Sequence, residues 1–113
     1  MAQTVNALSA ASPAAQNLYG SLLAALRRLG PFQEEPKKTS VHLVRKSAFA
    51  GVQLRRDCLI LTIKSDKRIR SSRIKKGEQV SKNRWHSEVK IEGESDLDGE
   101  LMGWLRAAYE LCA

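Results

Sequence analysis

Apolar residues recur at Ala15, Leu18, Leu22, Ala25, Leu26 and Leu29, the spacing of a single helical face. Ser12 ahead of Pro13 supplies an N-cap and a first helical position. The far end is specified equally well: Arg27 and Arg28 suit the negative end of the helix dipole, Gly30 can take positive φ, and Pro31 cannot extend the ladder. A second stripe, Leu97, Leu101, Trp104, Leu105, Ala108 and Cys112, follows Ser95-Asp96-Leu97-Asp98, which reads as a capping box with acids in the first turn. Between these helices the apolar period drops to two. Val41 and Leu43, the runs 49–54 and 58–63, and Trp85, Ser87, Val89 and Ile91 alternating with His86, Glu88 and Lys90 all predict strands. A ragged edge strand followed by a loop ending at Gly77 is expected within 65–82, where Ile69, Ile74 and Val80 are sparse among cations. The prediction is an α+β fold: an antiparallel or mixed sheet of about five strands, with the N- and C-terminal helices packed on one face and the other face at least partly open.

The 113 residues suffice for one core, and 42% hydrophobic with 27% charged residues is ordinary for a globular chain. We expect a flexible leader over residues 1–11 and one domain over 12–113. The longest apolar runs fall far short of the roughly 20 residues a membrane helix needs, so no membrane partner is expected. Two cysteines, Cys58 and Cys112, make neither a disulfide framework nor a metal-binding spacing, and both read as reduced. The N-terminal stretch lacks the basic start and apolar core of a secretory signal, which leaves the cytoplasm as the expected location.

Net charge is +7, and its distribution says more than its sum. Residues 37–90 hold sixteen basic and four acidic side chains, whereas 91–113 hold one and six. A basic centre of this kind attracts phosphates, nucleic acid or an acidic protein. Cations crowded on an edge strand also discourage aggregation, a reason for the charge that needs no ligand.

Several blocks occur in one order along the chain: Pro36-Lys37-Lys38-Thr39-Ser40-Val41-His42-Leu43, Ala48-Phe49-Ala50-Gly51-Val52, Glu78-Gln79-Val80-Ser81-Lys82-Asn83-Arg84-Trp85-His86, and the ending from Asp96 to Glu110. Together they resemble the domain of unknown function 5655 over about Leu18 to Glu110. The resemblance implies a small bacterial domain, standing alone or as a C-terminal module of larger proteins loosely described as transport- or nuclease-associated, with no activity attached. Trp85, where another aromatic is more usual, and Leu54-Arg55-Arg56, in place of a Pro-Arg-Lys pattern, depart from it without removing a candidate functional group.

Strand alternation sets Lys38, Ser40 and His42 on one face, and Lys82, Arg84, His86, Glu88 and Lys90 on the face opposite Trp85, Val89 and Ile91. Should these strands be neighbours, Lys38, Ser40, His42, Arg84 and His86 would converge on an anion, with Lys82 beside them and Arg45 and Arg55 on the rim. The expected function is a non-enzymatic binding module for a phosphate-bearing ligand, nucleic acid included, that uses no cofactor and no metal. The bland alternative is a solvated face of cross-strand ion pairs. Two further alternatives remain: an adaptor for an acidic protein, and a metal-dependent phosphodiesterase built on Glu88-Val89-Lys90, which would need another carboxylate close by. His42 and His86 lack further ligands at a recognisable spacing, and neither Ser40 nor Ser81 sits in a nucleophile elbow. Aromatic residues are too few for base stacking to carry recognition.

Overall fold

The computed structural model describes residues 12–112, so the expected leader over residues 1–11 lies outside the described residues. Helix α1 spans Pro13–Arg27, strands β1 to β6 span Gln33–Pro36, Val41–Val44, Ala48–Leu54, Leu59–Ser65, Ile74–Ser81 and Arg84–Ile91, and helix α2 spans Gly99–Leu111. The strands form one antiparallel sheet in the order β1-β2-β3-β4-β6-β5. Both helices pack against β3 and β4 and touch each other, and among the described residues no helix covers the opposite face of the sheet. The α+β architecture is as the periodicity predicts, but within 65–82 the order is the reverse of that expected: the connection comes first and the strand, Ile74–Ser81, runs through Gly77, held by its pairing with β6. Among the described residues no helix is long and apolar enough to cross a membrane.

Helix α1 starts where the sequence places it: Ser12 Oγ accepts from Ala15 N and also binds Arg56 O in the turn after β3. Gly30 has φ of 143°, and a Cβ there would strike the hydroxyl of Tyr109, which donates to Pro31 O at 2.8 Å. The chain can therefore turn tightly under α2 only with glycine at this position.

Strand β1, Gln-Glu-Glu-Pro, has no apolar alternation and is absent from the sequence prediction. Its reason for forming lies across the helix layer. Glu34 accepts from the Tyr19 hydroxyl at 2.7 Å and pairs with Arg27 at 3.0 Å, so a polar strand is anchored through its carboxylate. Burial first, and then the bond to Glu34, push the Tyr19 pKa upward, keeping the hydroxyl a donor.

The start of α2 also differs from expectation. Glu94–Asp96 forms a 3₁₀ turn, Asp96 accepts from Glu92 N, and Asp98 rather than Ser95 is the N-cap, accepting from Leu101 N at 3.0 Å. Arg73, from the β4–β5 connection, fixes this choice by binding Asp98, Glu100 and Asp96 O. The Leu101 N–H first, and then Arg73, hold the Asp98 carboxyl below the ordinary carboxylate range. A lowered folded pKa stabilises the fold above the unfolded value of about 3.9, and that contribution disappears as pH falls through the folded value. In Asp98→Asn, which keeps a capping side chain, we expect a melting temperature below wild type at pH 7 and a gap that narrows in acid. Thermal melts between pH 7 and 2 check this, and parallel curves would contradict it.

Candidate functional site

The uncovered face carries polar side chains in rows set by the strand register. In the central row His42 on β2 is opposite Gly51 on β3, Gly51 opposite Thr62 on β4, Thr62 opposite Glu88 on β6, and Glu88 opposite Lys76 on β5. The next row towards the end of β4 sets Lys64 opposite His86 and His86 opposite Glu78. In the row on the other side, Gln53 faces Ile60 and Ile60 faces Lys90.

A trough of about 290 Å³ lies across these rows, lined by Ser40, His42, Gln53, Thr62, Lys64, His86 and Glu88, with Ala48 to Gly51 completing it along β3. Its floor exists because position 51 has no side chain. A Cβ at Gly51 would meet only His42 Cδ2, at 3.9 Å, so glycine here leaves open volume rather than relieving a clash. A β-bulge shapes the β3 wall. Leu43 is opposite Ala50 and Val44 opposite Ala48, which leaves Phe49 as the extra residue, and Phe49 and Ala50 are both buried. The core thereby receives the Phe49 ring while Gly51 and Gln53 stay on the uncovered face.

His42 and His86 do not lie on neighbouring strands. Strands β3 and β4 stand between them, about 14 Å from backbone to backbone at about 4.8 Å per strand. They form opposite walls of one trough rather than a shared contact, with Ser40 beside His42 and Lys64 beside His86. Of the other predicted residues, none lines it. Lys38 is exposed in the β1–β2 turn and Arg55 is exposed in the β3–β4 turn, bound to Gln53 Oε1 at 3.2 Å. Lys82 and Arg84 sit at the β5–β6 turn, at the opposite end of the strands, where Arg84 donates to Asn83 O. Arg45 is occupied by α2, donating to Tyr109 O at 3.0 Å with its guanidinium 3.9 Å from the Tyr109 ring centre. The antiparallel register separates these cations, because Ser40 and Gln53 share one end of the sheet while His86 and Arg84 share the other.

The face is also less uniformly basic than the charge count implies, since Glu35, Glu78 and Glu88 occupy its rows among Lys64, Lys76 and Lys90. Gly51, Gln53, Thr62 and Lys64 escape a reading of the sequence because their strands look like apolar runs. The signal that finds them is a glycine and a glutamine in alternate positions of β3, and a threonine and a lysine in alternate positions of β4.

Glu88 and Lys90 share the uncovered face, as a Glu-x-Lys site requires, but Lys90 pairs with Glu92 at 3.7 Å. Among the described residues no three His, Cys, Asp or Glu side chains are grouped to hold a metal ion. Cys58 and Cys112 are both free thiols, and Cys112, the C-cap of α2, is buried with its thiol donating to Ala48 O.

Two helices on one face of a six-stranded antiparallel sheet, and a trough on the other, define a small α+β domain with a concavity at mid-sheet. The chain belongs to the Domain of unknown function (DUF5655) family, whose model matches residues 4–112. No curated protein and no solved structure matches it.

Proposed function

We propose that the protein is a binding module for a small phosphate-bearing molecule, held in the trough on the uncovered face of the sheet. One observation carries the reading: a glycine-floored trough with His42 and His86 on opposite walls and Lys64, which has no ion-pair partner among the described residues, beside His86. Lys64 and His86 face each other across β4 and β6, so an ammonium and an imidazole both offer N–H donors to one anionic group. Glu88, one row away, accepts from a hydroxyl or amino group on the same ligand, while Ser40, Gln53 and Thr62 can donate or accept. This inventory fits a phosphomonoester of a hydroxyl-bearing molecule better than a bare anion, which would lie beside the Glu88 carboxylate without using it. A volume of about 290 Å³ admits a ligand of that size, at the lower end of the range for small-molecule sites.

Calorimetric titration with inorganic phosphate, a sugar phosphate and a nucleoside monophosphate tests the reading. The organic phosphates should bind more tightly than inorganic phosphate, and Lys64→Ala with His86→Ala should weaken them at least about tenfold, about 1.4 kcal/mol. Equal affinity for all three probes, unaltered in that variant, would remove the trough from consideration.

A further inference from the structure

A second concavity lies at the edge of the sheet, away from the trough. The β4–β5 connection folds beside β5, and Arg68, Ile69, Arg70, Ser71, Ile74, Lys75, Lys76 and Gly77 line a groove of about 500 Å³. Ile74 and Gly77 are opposite Val89 and Ser87, the core-facing residues of β6, whereas the trough is lined by residues of the other face.

Four cations and no carboxylate line this groove. Unpaired cations are not confined to this groove, Lys64 being another among the described residues, but Arg27, Lys37, Arg73, Lys90 and Arg106 all have carboxylate partners. Arg68, Arg70, Lys75 and Lys76 have none among the described residues, although Lys76 is in register with Glu88. Arg73 holds the connection in place from beneath, through Asp98, Glu100 and Asp96 O, with Trp104 5.7 Å from its guanidinium. A register shift between Ile74 and Lys76 makes Lys75 an extra residue in β5, and such a bulge re-aims a side chain at a sheet edge. Consecutive lysines that regular pleating would send to opposite faces thus both line the groove.

We propose that this groove is a second binding site, for the sugar–phosphate backbone of a nucleic acid. Unpaired arginines and lysines gathered along one groove suit a repeating phosphate chain, each guanidinium able to fork onto a phosphate. An acidic protein is the poorer fit, because protein interfaces are anchored by buried aromatic and apolar side chains. Val80 is the one large hydrophobic residue that stands exposed among those described, and it does not line the groove. No aromatic side chain lines it either, so bases find no stacking platform and contact is confined to the backbone. Binding is therefore indifferent to sequence and steeply dependent on salt.

Fluorescence anisotropy with labelled random-sequence single-stranded and duplex DNA, across a salt series, tests this. Wild type should bind both at low salt, with log affinity falling linearly with log salt concentration. The triple variant Arg68→Ala, Arg70→Ala, Lys75→Ala should lose at least about tenfold in affinity on duplex DNA, and its salt slope should shrink by about 1 for each phosphate contact removed. All three residues are exposed, so melting should be unchanged. A matched variant, Arg28→Ala, Lys46→Ala, Arg56→Ala, removes the same charge from exposed positions outside the groove and should keep the wild-type slope. Equal losses in the two variants would reduce the effect to bulk charge and overturn the site, as would absence of DNA binding at low salt or binding to poly-glutamate alone. Lys64→Ala with His86→Ala should leave DNA binding intact, so failure of the groove and failure of the trough are separable.

Discussion

Replacing Phe49 with alanine is expected to lower the stability of the protein by about 3–5 kcal/mol, the largest single effect anticipated for the fold. The ring is fully buried and stands edge-on to Phe32 at 5.7 Å and to Tyr109 at 5.4 Å between centroids. Those partners come from the segment after α1 and from α2, so the Phe49 ring joins both helical ends to the sheet. Edge-to-face pairs add to the area term, and truncation leaves a cavity bordered by two other rings that cannot collapse without moving a helix. A domain of this size has a total stability of about 5–15 kcal/mol, so the loss is a large fraction of the whole. Urea unfolding measures it. Phe49→Leu, which retains most of the volume, should cost less, and a loss below about 1 kcal/mol for alanine would show that the cluster does not hold the layers together.

The second large effect concerns binding and leaves the fold intact. Gly51→Leu places a side chain where the trough has its floor, and the first added atom meets no neighbour closer than 3.9 Å. Glycine inside a strand is costly to order, so the substitution should hold or raise stability, by about 0.5–1 kcal/mol. Binding of a phosphomonoester should fall at least about tenfold, about 1.4 kcal/mol, because the leucine occupies the volume that the ligand needs between His42 and His86. The substitution separates folding from the proposed binding, since the same missing side chain weakens the strand and opens the trough.

Much of this architecture can be read along the chain, for identifiable reasons. Ser12-Pro13 and Gly30-Pro31 bracket α1 because capping and termination depend on local chemistry. Alternation puts Ser40, His42, His86 and Glu88 on one face because the pleat has a period of two whatever the topology. The start of α2 is ambiguous locally, where Ser95, Asp96 and Asp98 can all cap, and a distant residue, Arg73, favours Asp98. Strand β1 is polar, so only its tie to Tyr19 and Arg27 identifies it. The order β4-β6-β5 is not encoded in any local pattern, yet it decides that two strands separate the histidines and that the basic connection lies at an edge. For the same reason Lys38 and Arg55 part from Lys82 and Arg84: the sequence gives each its face, and only the register shows them at opposite ends of the sheet.

Binding of the small ligand in the trough can be followed residue by residue. Two-dimensional amide NMR of the uniformly labelled protein, titrated with a nucleoside monophosphate, tests it most directly. Saturable shifts are expected at Gly51, Thr62, Lys64 and His86, and they should vanish in Gly51→Leu. Shifts confined to residues 68–77, or unchanged in that variant, would contradict binding in the trough.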